Sequence, residues 1–599
     1  MDGGIVVVDF GGQYAHLIAN RIRRLHVYSE IRSPMADAAD LAGADGLILS
    51  GGPSSVYAAG APPYNRQLLE LGKPVLGLCY GHQLIAQRFG GGVRRGTTHE
   101  FGAAHLQVRE PAGVLAGLAE RELVWMSHRD TVVQPPPGFS VLAGTDDCPV
   151  AAMGDARRRI WGLQFHPEVT HTASGMRILE NFVSLCGSAR TWTMERYLQQ
   201  ALQQVVQVTA GRRVFLLVSG GVDSSVAFVL LKVALGEERV LGLHIDNGFM
   251  RQGETAQVEH LMRECGFHNL HVVDASLDFL GAVAGVTDPE VKRQRIGEEF
   301  LAVRERALHA LQLDPEEWLL GQGTLYTDTI ESGATVHAAV IKTHHNRVGL
   351  IGQLLQEGRV VEPLAQLYKD EVRELGEKLG LPPQLVWRHP FPGPGLAVRA
   401  LCHAGEEPDA GLAAVEERAR PLAAQHGLAL DLLPLRSVGV QGDCRTYAHP
   451  AVVSGPAEWD ALETVSTLLT NACEEINRVV YLLAPQPRPP QRLVPASLTR
   501  VRLDLLRRAD AIAMVALDEF GLTREVTQMP TVLLPLSADG RRESLVLRPI
   551  STSDFMTARF CRLPWDFVAA VRDRLMALEG IEAVYYDITH KPPGTVEWE

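Results

Sequence analysis

The sequence of 599 residues predicts a multidomain α/β protein that ends in two tandem α+β modules. Three observations carry this prediction: short apolar runs that alternate with helical patterns, two glycine-rich turns that each follow such a run, and an internal repeat beyond residue 400. The apolar runs include residues 5–8, 46–49, 75–78 and 214–218. Their flanking glycines and β-branched residues favour buried parallel strands over the alternative, buried helical turns.

The overall composition excludes several classes of protein. Hydrophobic residues make up 46% and charged residues 21%, as in an ordinary globular protein. We find no apolar run of about 18 residues, and the first residues lack the basic region of a secretory signal. Eight cysteines without a C-x-x-C pair indicate a reducing compartment. A net charge of −13 gives no global attraction for nucleic acid, so we expect a cytoplasmic protein without nucleic-acid or membrane partners.

Two α/β domains are predicted in the first two thirds of the chain. Residues 1–190 form the first, in which helical patterns such as 15–25 separate the apolar runs. Residues 191–397 form the second, where the runs 214–218 and 240–245 flank a helical stretch and complete a βαβ unit. This domain closes near the sequence H-P-F-P-G-P-G, whose prolines and glycines predict a rigid extended loop.

The two C-terminal modules, residues 398–527 and 528–599, are predicted from an internal repeat. Three features recur in the same order and at similar spacing: L-L-P-L at 432–435 and 533–536, Trp459 and Trp565, and the tyrosines Tyr481 and Tyr586 that each end a V-V-Y or V-Y-Y run. Each copy reads as strand, loop, helix and strand. The proline-rich segment 484–490 predicts a stiff linker between the copies.

A candidate nucleophile lies between glycines at the end of the third apolar run. Cys79 precedes the helical run 83–89, and a helix N-terminus favours its thiolate. His166 and Glu168 are two residues apart, so in an extended segment they share one face. Glu168 can therefore orient His166, and His166 can deprotonate Cys79, which predicts a nucleophile, base and orienting group.

A second candidate site is a glycine–serine turn between an apolar run and an apolar helix. Its glycines and hydroxyl groups suit close approach to phosphate oxygens at a helix N-terminus. No G-K-[ST] follows, so the turn is not a Walker A loop. The residues of the turn, all candidate ATP ligands, are Ser219, Gly220, Gly221, Val222, Asp223, Ser224 and Ser225.

Both sites resemble those of known families. The motif G-L-C-Y-G-H-Q around Cys79, with H-P-E around His166, resembles the class I glutamine amidotransferases. That resemblance implies that Cys79 attacks the glutamine amide and that backbone N–H groups near Gly52 and Tyr80 hold the oxyanion. The S-G-G-V-D-S motif resembles the loop of ATP pyrophosphatases, of the adenine nucleotide alpha hydrolase-like fold. It implies cleavage of ATP between its α and β phosphates, with Asp223 beside Mg²⁺.

Motifs along nearly the whole chain resemble the GMP synthase family. They include residues 244–251, 321–324, 389–395 and the terminus K-P-P-G-T-V-E-W-E. The resemblance implies a carbon–nitrogen ligase whose small-molecule substrates are glutamine, ATP and xanthosine monophosphate (XMP). The ATP half would adenylate XMP, and ammonia from glutamine would displace AMP to give GMP.

The same resemblance implies the XMP ligands, each carried over from a matching motif: Arg293, Asp443, Gln528, Lys591 and Glu597. Arginine suits bidentate recognition, Lys591 suits a phosphate, and Glu597 can accept hydrogen bonds from ribose or base. The longer members of the family carry two C-terminal modules, so we expect an internal pseudo-dimer, a monomeric chain and one nucleotide site. The alternatives are another amidotransferase-coupled ATP pyrophosphatase and a non-catalytic regulatory relative.

Overall fold

The computed structural model describes the chain except residues 1–2, 13, 170, 314–316, 329–356, 358, 406–410, 442–443, 457, 490 and 553–556, and except the side chains of 97–101, 103, 441 and 444. The chain divides into two compact units. The first comprises Met1–Gln200 with Thr327–Ala339, and the second Ala201–Tyr326 with Val340–Glu599. Among the described residues, no helix combines the length and the apolar character needed to cross a membrane.

The first unit is built on a nine-stranded sheet. Its strands are β1 Ile5–Val8, β2 Ser29–Arg32, β3 Gly46–Leu49, β4 Val75–Leu78, β5 Gly92–Val108, β6 Arg121–Gln134, β7 Ser140–Gly144, β8 Ala152–Asp155 and β9 Ile160–Leu163. The order is β2-β1-β3-β4-β9-β8-β7-β5-β6. The strands from β2 to β9 in this order are parallel, and the last four add an antiparallel extension.

Helices cover the middle of the parallel part of this sheet, where the strands are apolar. The strands β1, β3 and β4 are buried along their whole length, as the unbroken apolar runs predict. The core contains residues of the sheet such as Val6 and Leu47 together with Ile85 from a helix. The helices are α1 Ala15–Arg23, α2 Tyr80–Arg88, α3 Gly175–Cys186 and α4 Met194–Thr209, the last of which crosses the division between the units.

The second unit begins with a five-stranded parallel sheet in the order β12-β11-β10-β13-β14. The strands are β10 Arg213–Leu217, β11 Val240–Asp246, β12 Leu270–Asp274, β13 Trp318–Gly321 and β14 Val360–Val361. The helices are α5 Val222–Leu235, α6 Glu254–Glu264, α7 Ser276–Ala282, α8 Pro289–Ala310, α9 Lys369–Lys378 and α10 Pro383–Val386. The strand order reverses direction at β10, so the carboxyl end of this strand is a topological switch point, where such folds bind ligands.

The rest of the second unit contains the predicted repeat. Its strands are β15 Ala429–Leu432, β16 Ser437–Gln441, β17 Cys444–Ser454, β18 Ile476–Ala484, β19 Arg492–Leu493, β20 Thr531–Leu534, β21 Leu536–Ser537, β22 Glu543–Leu547, β23 Ile550–Ser551, β24 Arg559–Phe560 and β25 Ile581–Asp587. Its helices are α11 Leu412–Ala424, α12 Trp459–Ala472, α13 Arg500–Glu519 and α14 Trp565–Met576. Each copy begins with a helix and two paired strands, α11 with β15 and β17 or α13 with β20 and β22, and ends with a helix and a strand, α12 with β18 or α14 with β25. Further strands lie between these elements, and a helix precedes those that the sequence match detects.

The two copies share one seven-stranded sheet. Its order is β15-β17-β18-β25-β22-β20, with β16 paired to β17. The middle strands β18 and β25 are antiparallel, and Tyr481 lies opposite Tyr586. On each side the next strand is parallel to its middle neighbour, and the edge strand is antiparallel. The order therefore reads the same from both edges, and an approximate two-fold axis relates the copies.

A continuous hydrophobic core joins the parallel sheet to the shared sheet within the second unit. It runs from Phe215 and Phe249 through Leu396 to Val479 and Tyr586. The proline-rich segment before Leu396 packs against the loop after β11, where the Leu396 amide donates to the Phe249 carbonyl oxygen at 2.7 Å. The parallel sheet and the repeat therefore pack as one body.

Candidate functional site

Cys79 occupies a strained turn between β4 and α2. Its backbone φ of 50° and ψ of −101° lie in a region that side-chain-bearing residues rarely adopt. The turn is so tight that a Cβ added to Gly81 would lie 2.4 Å from the Leu49 carbonyl oxygen. Such a strand-to-helix turn presents its nucleophile at the end of the sheet. The sequence prediction of a cysteine on a tight turn is therefore matched by the backbone.

His166 and Glu168 follow β9, the strand that pairs with β4. The Nδ1 atom of His166 lies 2.7 Å from Oε1 of Glu168, and both side chains are buried. Burial alone lowers the pKa of His166, but the charge of Glu168 and a hydrogen bond with Cys79 raise it to about 10. The three predicted residues are thus brought together, with Glu168 orienting the ring that faces the thiol. The imidazole of His166 is therefore placed to exchange a proton with the Cys79 thiol.

The two residues predicted to hold the oxyanion also lie at this turn. A Cβ added to Gly52 would lie 3.3 Å from Cγ of Tyr80 and 2.9 Å from the Phe10 carbonyl oxygen. A Cβ added to the preceding Gly51 would lie 3.7 Å from Cβ of Cys79. The backbones of both segments therefore approach Cys79 and Tyr80 closely, and glycine makes this approach possible.

The glycine–serine turn lies at the switch point of the five-stranded sheet, between β10 and α5. Gly221 is the residue before the helix, and Val222 is its first residue. The hydroxyl groups of Ser219 and Ser224 lie 3.1 Å apart, and the Ser224 hydroxyl donates to the Gly221 carbonyl oxygen at 3.1 Å. The turn is therefore a compact loop at the N-terminus of a 14-residue helix, which favours bound phosphate.

Two cations beside this loop were missed by the sequence analysis. Lys369, the first residue of α9, places Nζ 2.5 Å from Oδ2 of Asp223. Arg388 donates to the Gly220 carbonyl oxygen at 2.7 Å. Burial lowers the pKa of Arg388 to about 10, which leaves it protonated at neutral pH. Neither residue has a local sequence signal, because each reaches the loop from more than 140 residues away.

The second carboxylate oxygen of Asp223 is suited to a hard cation. Its Oδ1 atom is buried and has no hydrogen-bond partner among the described residues. A carboxylate oxygen next to a phosphate-binding loop is the ligand type that Mg²⁺ takes. The residues present therefore fit a magnesium ion, which Asp223 would hold.

The predicted nucleotide ligands are distributed over α8 and the C-terminal part of the chain. Arg293 pairs with Glu290 at 2.5 Å, and Arg445 from β17 reaches the same carboxylate oxygen at 2.9 Å. Gln528 is buried and pairs through its backbone with Ile550. Asp443 lies outside the described residues.

The C-terminal tail carries the remaining two predicted ligands and runs beside the first copy. The Val440 amide donates to the Pro593 carbonyl oxygen at 2.7 Å, and the Val438 amide donates to the Trp598 carbonyl oxygen at 3.0 Å. The tail that contains Lys591 is thus attached to β16, which leads directly to Asp443. The side chain of Glu597 is 21% exposed.

Three family models match successive parts of the chain. Glutamine amidotransferase class-I matches residues 6–186, NAD synthase matches residues 194–312, and GMP synthase C terminal domain matches residues 516–598. These matches confirm the predicted fold class: a class I amidotransferase domain, an ATP pyrophosphatase-like domain and a GMP synthase C-terminal part.

Relatives match over the whole length or over most of it. The probable GMP synthase [glutamine-hydrolyzing] of Leptospira interrogans is 43% identical and covers 99% of each chain. The GMP synthase of Thermobifida fusca is 38% identical over 99% of this chain and 98% of its own. That of Symbiobacterium thermophilum is 44% identical over 81% of this chain and 97% of its own. This chain therefore belongs to the GMP synthase family.

Proposed function

We propose that this protein makes GMP from XMP, using ATP and the amide nitrogen of glutamine. The observation that carries the proposal is the presence in one chain of two different sites. Cys79, His166 and Glu168 form a thiol site suited to amide hydrolysis, and the loop 219–225 with Lys369 forms a cationic phosphate site at a switch point. Family membership indicates how the two sites work together, since an amidotransferase and an ATP pyrophosphatase together perform an ATP-dependent amination.

In the first half-reaction the Cys79 thiolate attacks the side-chain amide carbon of glutamine. Backbone N–H groups near Gly52 and Tyr80 stabilise the negative oxygen of the tetrahedral intermediate. His166 donates its proton to the departing nitrogen, so ammonia leaves and a glutamyl thioester remains. His166 then takes a proton from water, and attack on the thioester releases glutamate and restores the thiolate. Glu168 keeps the imidazole ring oriented throughout.

In the second half-reaction the C2 oxygen of XMP attacks the α-phosphorus of ATP, and pyrophosphate leaves. The backbone of residues 219–225, together with Lys369, binds and orients the departing pyrophosphate. Asp223 would hold a magnesium ion, which would neutralise phosphate charge. Ammonia then attacks C2 and AMP leaves, which gives GMP.

The nucleotide itself is proposed to bind to residues from both copies of the repeat. Arg293, Asp443, Gln528, Lys591 and Glu597 would contact XMP. The attachment of the C-terminal tail to β16 supports this proposal, because it places the tail of the second copy beside a strand of the first copy that ends two residues before Asp443 in the sequence. We also propose that the chain acts as a monomer in the cytoplasm, with the second copy replacing a subunit partner.

The assay that tests the function supplies glutamine, ATP, Mg²⁺ and XMP, and separates the products by chromatography. We expect GMP, AMP, pyrophosphate and glutamate in equal amounts. Formation of ADP in place of AMP would contradict adenylation, and release of AMP and pyrophosphate in the absence of XMP would contradict XMP as the substrate. Ammonium chloride in place of glutamine should support the second half-reaction alone.

A further inference from the structure

Arg399 holds the carboxylate of Glu597 with two hydrogen bonds. The Nε and Nη2 atoms of Arg399 lie 3.0 Å and 2.8 Å from the two carboxylate oxygens. Arg399 is fully buried, whereas Glu597 keeps 21% of its side-chain surface exposed. A guanidinium that binds in this way sets both the position and the plane of the carboxylate. Because a carboxylate can accept about four hydrogen bonds, Glu597 keeps acceptor capacity on its exposed part.

The backbone of Arg399 is fixed from two directions. It directly follows the short helix Gly395–Val398, which ends the proline-rich segment. Its carbonyl oxygen accepts from the Leu533 amide at 2.8 Å, so it is attached to β20 of the second copy. Rigid backbone on both sides therefore fixes the residue that carries the guanidinium, as a positioning group requires.

A second carboxylate lies near the guanidinium nitrogen that does not contact Glu597. Asp510 of α13 lies 4.0 Å from Nη1 of Arg399 and 3.1 Å from Nε of Arg251. The ring of Phe391 lies 5.2 Å from the Arg399 guanidinium and 4.7 Å from that of Arg251. Burial lowers the pKa of Arg399, but Glu597 and Asp510 outweigh it and raise this pKa, so Arg399 stays charged.

The tail does not need Arg399 for its attachment. Trp598 donates to Asp587 at 3.0 Å, and Arg478 pairs with the same carboxylate at 2.8 Å while it also donates to the Thr595 carbonyl oxygen. These contacts are buried and hold the tail on both sides of Glu597. Replacement of a buried ion pair by apolar side chains of the same volume often leaves the stability unchanged or higher. Orientation of the Glu597 carboxylate is thus what Arg399 adds.

We infer that Arg399 is a positioning residue for the nucleotide. It holds Glu597 in the orientation in which this carboxylate accepts hydrogen bonds from the ribose or base of XMP, and Asp510 places a second negative charge 4.0 Å from Arg399. The inference rests on the proposed function, because it takes XMP as the substrate and Glu597 as its ligand. Neither Arg399 nor Asp510 touches the reacting atoms in this scheme.

The test uses the full chain with ammonium chloride as the nitrogen source and follows pyrophosphate release. The variants are Arg399→Lys, Glu597→Gln and their combination, with Arg418→Lys as the matched control. Arg418 forms an exposed pair with Glu475 in the same unit. Arg399→Lys keeps the positive charge but lacks the planar pair of donors. We expect it to raise KM for XMP roughly 10-fold, with kcat within about 3-fold and KM for ATP unchanged.

The double variant should be no worse than Glu597→Gln alone, because Arg399 acts through that carboxylate. An unchanged KM for XMP in either single variant, with an active wild type, would overturn the inference and leave the function standing. A fall in kcat with rises in both KM values would indicate a merely structural role and also overturn it. If Arg399→Lys does not fold, Asp510→Asn takes its place. This variant must then raise KM for XMP without a change in KM for ATP. A wild type that releases no pyrophosphate with XMP would refute the proposed function and, with it, the inference.

Discussion

The indole rings of Trp459 and Trp565 stack face to face, with centroids 4.2 Å apart and planes inclined by 8°. Each is the first residue of its helix, α12 or α14, so the pair joins equivalent positions of the two copies. Tyr481 and Tyr586, also equivalent, face each other across the middle of the shared sheet. The residues that reveal the repeat in the sequence therefore meet near its approximate two-fold axis, where each copy packs against the other.

Loss of one stacked indole should loosen the contact between the copies. We expect Trp565→Leu to lower the free energy of unfolding of the second unit by about 2 kcal/mol, since the ring is half-buried. Denaturant unfolding followed by circular dichroism measures this change. Trp459→Leu and the double variant complete a cycle, in which a coupling of about 1 kcal/mol is expected. If the losses in free energy of unfolding are strictly additive, the stacked pair makes no direct contribution to stability.

Removal of the nucleophile should separate the two activities. Cys79→Ala should abolish glutamine hydrolysis and glutamine-dependent GMP formation, while ammonium-dependent formation continues. Cys186→Ala is the control, because burial raises the pKa of the Cys186 thiol to about 12 and leaves it unreactive at neutral pH. Glutamate and GMP are measured side by side. Loss of the ammonium-dependent reaction in folded Cys79→Ala would argue against two independent sites.

The His166–Glu168 pair predicts a pH-dependent contribution to stability. The folded pKa of His166, about 10, lies above the ordinary value of 6.5. The protonated ring therefore stabilises the fold fully below pH 6.5, and this contribution disappears as the pH rises through 10. We expect the difference in Tm between the wild type and Glu168→Gln to shrink between these two pH values. A difference that stays constant would show that Glu168 does not raise this pKa.

We expect Lys369 to contribute to pyrophosphate release from ATP and not to glutamine hydrolysis. Lys369→Gln removes the cation beside Asp223 and the phosphate loop, so we expect ammonium-dependent pyrophosphate release to fall roughly 100-fold, as for loss of one stabilising donor. Lys378→Gln, at the other end of the same helix, should keep the wild-type rate. Glutamate release in the absence of nucleotides gives a reference for both variants. Equal rates of pyrophosphate release in the two variants would contradict a role for Lys369 in the ATP site.

The shared sheet predicts the state of assembly. If the contact between the copies replaces a contact between subunits, a closed two-fold contact leaves no equivalent patch for another chain. We expect sedimentation equilibrium to give a single species at the chain mass of 65.4 kDa at micromolar concentration. A stable dimer would contradict the pseudo-dimer proposal without affecting the assignment to the family.

Features encoded within a few consecutive residues could be predicted from the sequence. Three such features depend only on a strand, the turn that follows it and the side chains next to that turn. They are the strand-to-helix turn at Cys79, the loop 219–225, and the pair His166 and Glu168. The repeat was detectable for a related reason: both copies use tryptophan and tyrosine where they pack against each other. Apolar runs at β1, β3 and β4 predicted buried strands because those strands are covered on both faces.

The tertiary structure alone decided which distant residues meet. Lys369 reaches Asp223 across 146 residues, and Arg399 reaches Glu597 across 198. Neither pair has a spacing that periodicity could reveal, because the separation in sequence reflects the intervening strands and helices and not the contact. The sequence pattern also does not reveal that the two copies share one sheet. That arrangement depends on the pairing of β18 with β25, which are about 100 residues apart in the sequence. Local patterns determine the elements and their chemistry, whereas long-range pairing and burial determine which of those elements form a site.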